Sequence, residues 1–196
     1  EAFTRLAEAS GEARWIAEAT AAADGMLDLF WDGDAGVFTT SGSDAERLIA
    51  QPVDTVDGAV PSSNSVAAGA LLRLAALTGV SAYEQTARKV IDALAPALGK
   101  APSGFANMVA AADLARRGLT ELTIAGSDLA MLAVAHGSYR PDVVLAWGEP
   151  YPSPMWDGRT GTDYAGVAFV CRDQTCGPPL RSAEALAAAL SALPRQ

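Results

Sequence analysis

Apolar positions over the first thirty residues recur at helical spacing with one interruption. Trp15, Ala19, Ala22, Met26, Leu29 and Phe30 stand three or four apart, which places them on one stripe of a helix. Ser10-Gly11 breaks the pattern, so two helices are expected there. Trp31-Asp32-Gly33-Asp34-Ala35-Gly36 is turn chemistry, with two glycines beside aspartates. Val37 to Thr40 reads as a short strand, and a loop of mixed charge runs to Pro61. Helical spacing returns at Ser63 or Asn64, either of which can cap a helix. That helix continues to Thr78, with Gly79 just past its end. A further helix is expected over 82–98, with Tyr83, Ala87, Val90, Ile91, Leu94 and Leu98 inside and Pro96 bending its last turn. Another, over 105–117, puts Phe105, Met108, Val109 and Ala112 on its buried face.

After Gly118 the period changes. Residues 119–125, 141–147 (around Val143-Val144-Leu145) and 165–171 have the apolar runs of strands, and 183–193 those of a final helix. Ser127 can cap a short helix between the first two strands, a unit that favours parallel neighbours. Leu6, Gly11, Trp15, Ala19 and Met26 match Leu74, Gly79, Tyr83, Ala87 and Leu94 at a constant offset of 68 residues. Each stretch reads as helix end, glycine turn, aromatic residue and second helix. Such repeats imply stacked helical hairpins, none able to bury its apolar face alone. The expected fold is mostly α, with helical hairpins over 1–118 and a small α/β region of about three strands over 119–196.

Composition narrows the function. The chain has 196 residues, half of them hydrophobic, with 14 basic and 23 acidic side chains and a net charge of −9. That is enough apolar material for a core, and the wrong sign for a nucleic-acid backbone binder. One histidine excludes multi-His metal sites, and the two cysteines have no second pair to complete a zinc site. No metal and no cofactor is expected. No run approaches the ~20 apolar residues of a membrane span, and no leader peptide is recognisable. A cytoplasmic protein, with neither membrane nor nucleic acid as partner, is therefore expected. Glu1-Ala2-Phe3 reads like the middle of a helix, which suggests a C-terminal piece of a longer protein.

Three segments carry a resemblance. They are Asp57-Gly58-Ala59-Val60-Pro61-Ser62-Ser63-Asn64-Ser65-Val66-Ala67, then Leu71-Leu72-Arg73-Leu74-Ala75-Ala76-Leu77-Thr78-Gly79, and near the end Ala168-Phe169-Val170-Cys171-Arg172-Asp173-Gln174-Thr175-Cys176-Gly177-Pro178-Pro179. Phe30 to Phe38 and Glu46-Arg47-Leu48-Ile49 precede them in matching order. Together they resemble the C-terminal part of the thioredoxin-domain-containing, spermatogenesis-associated family. Ser63 replaces the glycine usual in that family's Pro-Ser-Gly-Asn-Ser pattern. The resemblance implies an N-terminal thioredoxin-like domain, absent from this chain, followed by an (α/α) toroid similar to six-hairpin glycosidases and N-acylglucosamine 2-epimerases. This chain has room for a partial toroid.

In such a toroid, the loop before an inner helix lines the cleft. Asp57 there can serve as a general acid or base, with Asp32 as the second carboxylate that glycoside chemistry requires at about 5–9.5 Å. Asn64 and Ser63 can bind hydroxyls of a sugar-like small molecule, and Trp31 and Trp156 can stack on its ring. The ordinary reading of the same residues is capping, turn formation and core. Cys171 and Cys176 are plain thiols in a turn on the ordinary reading; the resemblance also allows a redox disulfide. His136 reads as a partly buried structural residue, and a single histidine argues against epimerase chemistry. Gly148 to Asp163 is long enough to be a lid. Two functions follow: sugar binding or processing in the full-length protein, or a non-catalytic module that binds clients or partners for the missing N-terminal part.

Overall fold

The computed structural model describes residues 1–46, 49, 51–172 and 175–193. Arg47 and Leu48 of the second matching stretch, and Asp173 and Gln174 of the third segment, lie outside the described residues. The helices are α1 (Ala2–Ser10), α2 (Arg14–Phe30), α3 (Ser63–Thr78), α4 (Ser81–Lys100), α5 (Ala106–Arg117), α6 (Leu129–His136) and α7 (Ala183–Ala192). The strands are β1 (Trp31–Asp32), β2 (Val37–Phe38), β3 (Thr120–Ala125), β4 (Val143–Trp147), β5 (Val167–Arg172) and β6 (Thr175–Cys176). Among the described residues about 54% are helical, beside a two-stranded hairpin and a small four-stranded sheet, so the chain is mostly α as its periodicity implies.

Two compact units divide these elements. One holds Ala17–Ala75 and Val80–Arg117; the other holds Ala2–Ile16, Ala76–Gly79 and the chain from Gly118 onward. In the first unit β1 and β2 form an antiparallel hairpin. Helix α3 is apolar on nearly every side: Ala67, Ala68, Leu71, Leu72 and Leu74 are all buried, as a helix at the centre of a core must be. On α5 the buried stripe is Met108, Ala111 and Ala115, whereas Val109 is 41% exposed. A 3₁₀ turn over Pro102–Phe105 precedes α5, so the helix takes its phase from Ala106 and turns Val109 to solvent. Helix α4 runs through Pro96 to Lys100, closing with the Ala101 N–H on the Ala97 carbonyl at 3.0 Å.

In the second unit the sheet order is β4-β3-β5-β6. Strands β3 and β4 are parallel and joined through α6, as expected; β5 pairs antiparallel with β3, and β6 antiparallel with β5. Leu122, Ile124 and Leu145 pack with Met131, Leu132, Leu186 and Leu190 of α6 and α7. Val144 and Ala146 pack with Ala7, Ile16, Leu77, Met155 and Trp156. Adjacent residues of β4 thus enter two cores, which is why its sequence is a continuous apolar run. Edge strand β4 is covered by α1: the Leu145 N–H donates to the Glu8 carboxylate at 3.2 Å and the Trp147 indole N–H to the Glu8 carbonyl at 2.7 Å. Covering an edge in this way removes a pairing template. Helix α6 is capped by Asp128, which accepts from the Met131 N–H at 2.9 Å; the cap expected at Ser127 falls one residue late.

The middle of the stretch from Gly148 to Asp163, expected as a lid, is packed into the second unit. Ser153, Met155 and Trp156 are buried, and the Met155 carbonyl accepts from the Thr123 hydroxyl at 3.1 Å. His136, expected to be partly buried, is exposed at the end of α6.

The two repeat glycines share one conformation, with φ of +70° at Gly11 and +76° at Gly79, the left-handed region that favours glycine. A Cβ on Gly11 would stand 2.9 Å from the Trp147 ring, and one on Gly79 2.5 Å from Pro154 Cδ. The equivalence weakens beyond the turn. Tyr83 is buried and donates to Asp24 at 2.6 Å, while Trp15 is half-buried and stacks on Phe3 at 5.9 Å. Gly11→Ala is expected to lower stability by roughly 1–3 kcal/mol in thermal or urea unfolding. Gly25→Ala, inside α2 with nothing near its Cβ position, should raise it by roughly 0.5–1 kcal/mol.

Candidate functional site

The loop before α3 is built around one carboxylate. Asp57 Oδ1 accepts from the Ser62 N–H at 2.9 Å and from the Ser65 hydroxyl at 2.6 Å. Its Oδ2 accepts from the N–H groups of Asn107 at 2.8 Å and Met108 at 3.1 Å. Those last two donors belong to the first turn of α5, where four N–H groups lack partners within the helix. The Asp57 N–H itself donates to the Gly104 carbonyl at 2.8 Å. Burial pushes the Asp57 pKa up, but the bonds from Ser65, Ser62, Met108 and Asn107 outweigh it and hold the carboxyl below its ordinary value. A group held ionised in this way is unsuited to donate a proton, and both of its oxygens are already engaged.

The caps of α3 differ from expectation. Ser62 takes the cap position, its hydroxyl accepting from the Ser65 N–H at 3.2 Å. Ser63 follows as the first helical residue, exposed, with its N–H on Asp54 Oδ2 at 2.8 Å. Asn64 is fully buried and does no capping. Its carbonyl accepts from the Phe38 N–H at 2.8 Å, and its amide N–H groups donate to the Phe38 carbonyl at 2.9 Å and the Asp54 carbonyl at 2.8 Å. Because Thr39 donates to the Phe30 carbonyl at 2.9 Å, the N–H and C=O of Phe38 face away from β1. Asn64 supplies what a third strand would.

Trp31 joins this group through Phe38, the rings 5.0 Å apart and tilted by 54°. Asp32 turns inward on its own hairpin, where Oδ1 accepts from the N–H groups of Asp34 and Ala35, both at 3.0 Å. Among the described residues no hydrogen bond joins Asp32 to Asp57. Ser63, Asn64 and Trp31 are therefore linked through Asp54 and Phe38 in the first unit, while Asp57 reaches the same helix start through Ser62 and Ser65.

Trp156 and the cysteines belong to the second unit. Trp156 is buried, with Tyr151 edge-on at 6.0 Å; burial holds the Tyr151 hydroxyl well above the ordinary tyrosine range. Cys171 and Cys176 face each other across β5 and β6 and form a disulfide rather than free thiols. Arg159, which no sequence signal marks, contacts both sulfurs. This unit also has a cleft of about 580 Å³, lined by Val134, Tyr139, Arg140, Asp142 and Leu190 among others. None of the residues expected from sequence to form a site lines it. Its arginine is committed to the Asp142 carboxylate and the Leu190 carbonyl.

No family model matches the chain. Human spermatogenesis-associated protein 20 is 30% identical over 190 residues, and the rat protein of that name 29%. Each alignment covers 89% of this chain. The chain is homologous to a segment of spermatogenesis-associated protein 20. It spans about a quarter (24%) of the length of these curated relatives. No helix among the described residues is long and apolar enough to cross a membrane.

Removing the Asp57 carboxylate should unfasten both helix starts. Asp57→Asn is expected to cost about 2 kcal/mol or more in urea unfolding at pH 7, the scale of a lost cap plus charge-assisted bonds. The sign with pH follows from a lowered folded-state pKa. The contribution is complete above the unfolded value of about 3.9 and disappears as pH falls through the folded value. The gap between wild type and Asp57→Asn should therefore hold from pH 7 to 5 and narrow below pH 4.

Proposed function

We propose that this chain is a non-catalytic, partner-binding module of a longer protein, and that its loop before α3 is the docking element. The observation that carries this reading is the exposure of three aliphatic side chains in a loop fastened from below. Val53, Val56 and Val60 are 42%, 58% and 76% exposed, while Asp57, between them in sequence, is tied to α3 and α5. Apolar side chains displayed on an anchored backbone lose little entropy on binding, which suits protein recognition. The partner we assign is the preceding part of the same protein, a thioredoxin-like domain as the family resemblance implies. The helix–glycine–helix segments at Gly11 and Gly79 would be pieces of the partial (α/α) toroid that the same resemblance implies.

A second reading has one observation in its favour. Trp31 is only half-covered on Phe38, and exposed Asp54 and Ser63 flank the Asn64 that holds Phe38. An aromatic face near polar groups suits a sugar-like ligand; in a processing enzyme Asp57 and Asp32 would be the carboxylates, and each would first have to leave the donors that now engage it.

Calorimetry separates the two. Titration with the thioredoxin-like region should give heat that weakens roughly tenfold in a Val56→Ser/Val60→Ser variant, the scale of losing buried aliphatic groups. Mono- and disaccharides should give none. Sugar binding abolished by Trp31→Ala, or sugar turnover abolished by Asp57→Asn in a variant that remains folded, would overturn the module reading.

A further inference from the structure

Arg159 packs against both sulfurs of the Cys171–Cys176 disulfide. The guanidinium Nη2 lies 3.0 Å from Cys176 Sγ and 3.4 Å from Cys171 Sγ. Its Nη1 donates to the Met155 carbonyl at 3.0 Å, and its Cζ sits 5.0 Å from the centre of the Phe169 ring. The backbone is fixed as well, with the Arg159 N–H on the Trp156 carbonyl at 3.0 Å. No carboxylate among the described residues forms an ion pair with this side chain.

A disulfide sulfur is a weak acceptor, so the Nη2 contacts add little while the bond is intact. A thiolate beside a guanidinium is stabilised strongly, since an adjacent arginine lowers a thiol pKa. The same placement therefore favours the dithiol over the disulfide. A structural staple has no use for such a bias. Access is unequal too: Cys176 is exposed on the edge strand β6, whereas Cys171 is 2% exposed on β5.

We infer that Cys171, Cys176 and Arg159 form a thiol–disulfide exchange site whose co-substrate is a dithiol. One thiolate of the dithiol attacks exposed Cys176 Sγ. The Cys171–Cys176 bond breaks, and Cys171 leaves with the electron pair as a thiolate beside Nη2. The second thiolate of the dithiol then attacks its own first sulfur, closing the dithiol into a disulfide and releasing Cys176 as a thiolate, also beside Nη2. Two electrons pass to this chain, and the two protons of the dithiol go to solvent or to the released sulfurs. Rates rise with the acidity of the leaving thiol, which is the property Arg159 supplies at both steps. This inference is independent of the docking reading, which concerns the other unit.

The test uses the oxidised chain with dithiothreitol as the dithiol, quenched with a maleimide that adds mass at each free thiol. Reduction should slow roughly tenfold in Arg159→Met, as expected when a leaving thiolate loses its cation, and Arg159→Lys should recover most of the rate. Equal rates in wild type and Arg159→Met would overturn the assignment. Two measurements avoid any dependence on how Arg159→Met folds. Iodoacetamide reaction of the reduced wild-type chain should have a pH midpoint below the free-cysteine value of about 8.5; a midpoint at or above it overturns the assignment. An aromatic disulfide reagent should react with Cys176 in Cys171→Ser and far more slowly with Cys171 in Cys176→Ser; the reverse order overturns it as well.

Discussion

The first unit depends on a single carboxylate answering four donors. Two of them come from the turn that opens α3 and two from the first turn of α5. Helix starts present unpaired N–H groups and a positive dipole end, so an ionised aspartate is favoured there twice over. An asparagine keeps one acceptor oxygen and replaces the other with a donor that would face N–H groups. The described residues of the loop from Thr39 to Pro61 form no ladder of their own, and Asp57 and Asn64 hold them beside the backbone bonds of Thr40 to Pro52 and Ser43 to Leu29. Asn64 completes the arrangement by pairing both backbone groups of Phe38, which in turn seats Trp31.

Residues that look catalytic in the sequence are thus accounted for by the backbone they satisfy. Asp57, Asp32 and Asn64 all direct their polar atoms at main-chain groups or a neighbouring serine. Side chains committed in this way are poor candidates for proton transfer, which needs a group free to change its charge. The loop they fasten exposes Val53, Val56 and Val60, the display on which the docking proposal rests. In the second unit the proposed exchange rests on sulfur, where the Arg159 guanidinium meets the accessible half of a disulfide. Homology to a segment of spermatogenesis-associated protein 20 sets both features within a chain that spans a quarter of that protein's length.

Local signals proved legible where a residue's backbone or its neighbours in sequence decide its place. Gly11 and Gly79 read as turns and take positive φ. The run Val143-Val144-Leu145 reads as a strand, and its Val144 and Leu145 are buried in two different cores. Legibility failed by a residue or a phase where a turn intervened. Ser62 rather than Ser63 or Asn64 caps α3, Asp128 rather than Ser127 caps α6, and the turn before α5 rotates Val109 outward. It failed entirely where partners are distant in sequence. Nothing near Asn64 marks it as a substitute strand for Phe38, 26 residues away, and nothing near Arg159 points to sulfurs 12 and 17 residues on.

The most direct measurement is an NMR titration of the Asp57 side-chain carboxyl, followed together with the amide protons of Ser62, Asn107 and Met108. A carboxylate that clamps two helix starts titrates below the ordinary aspartate value of about 3.9, and the three amides shift with that same midpoint. A midpoint above the ordinary carboxylate range, with the three amides unmoved, would mean that Asp57 is free to trade protons. It would then contradict the clamp on which the first unit is built.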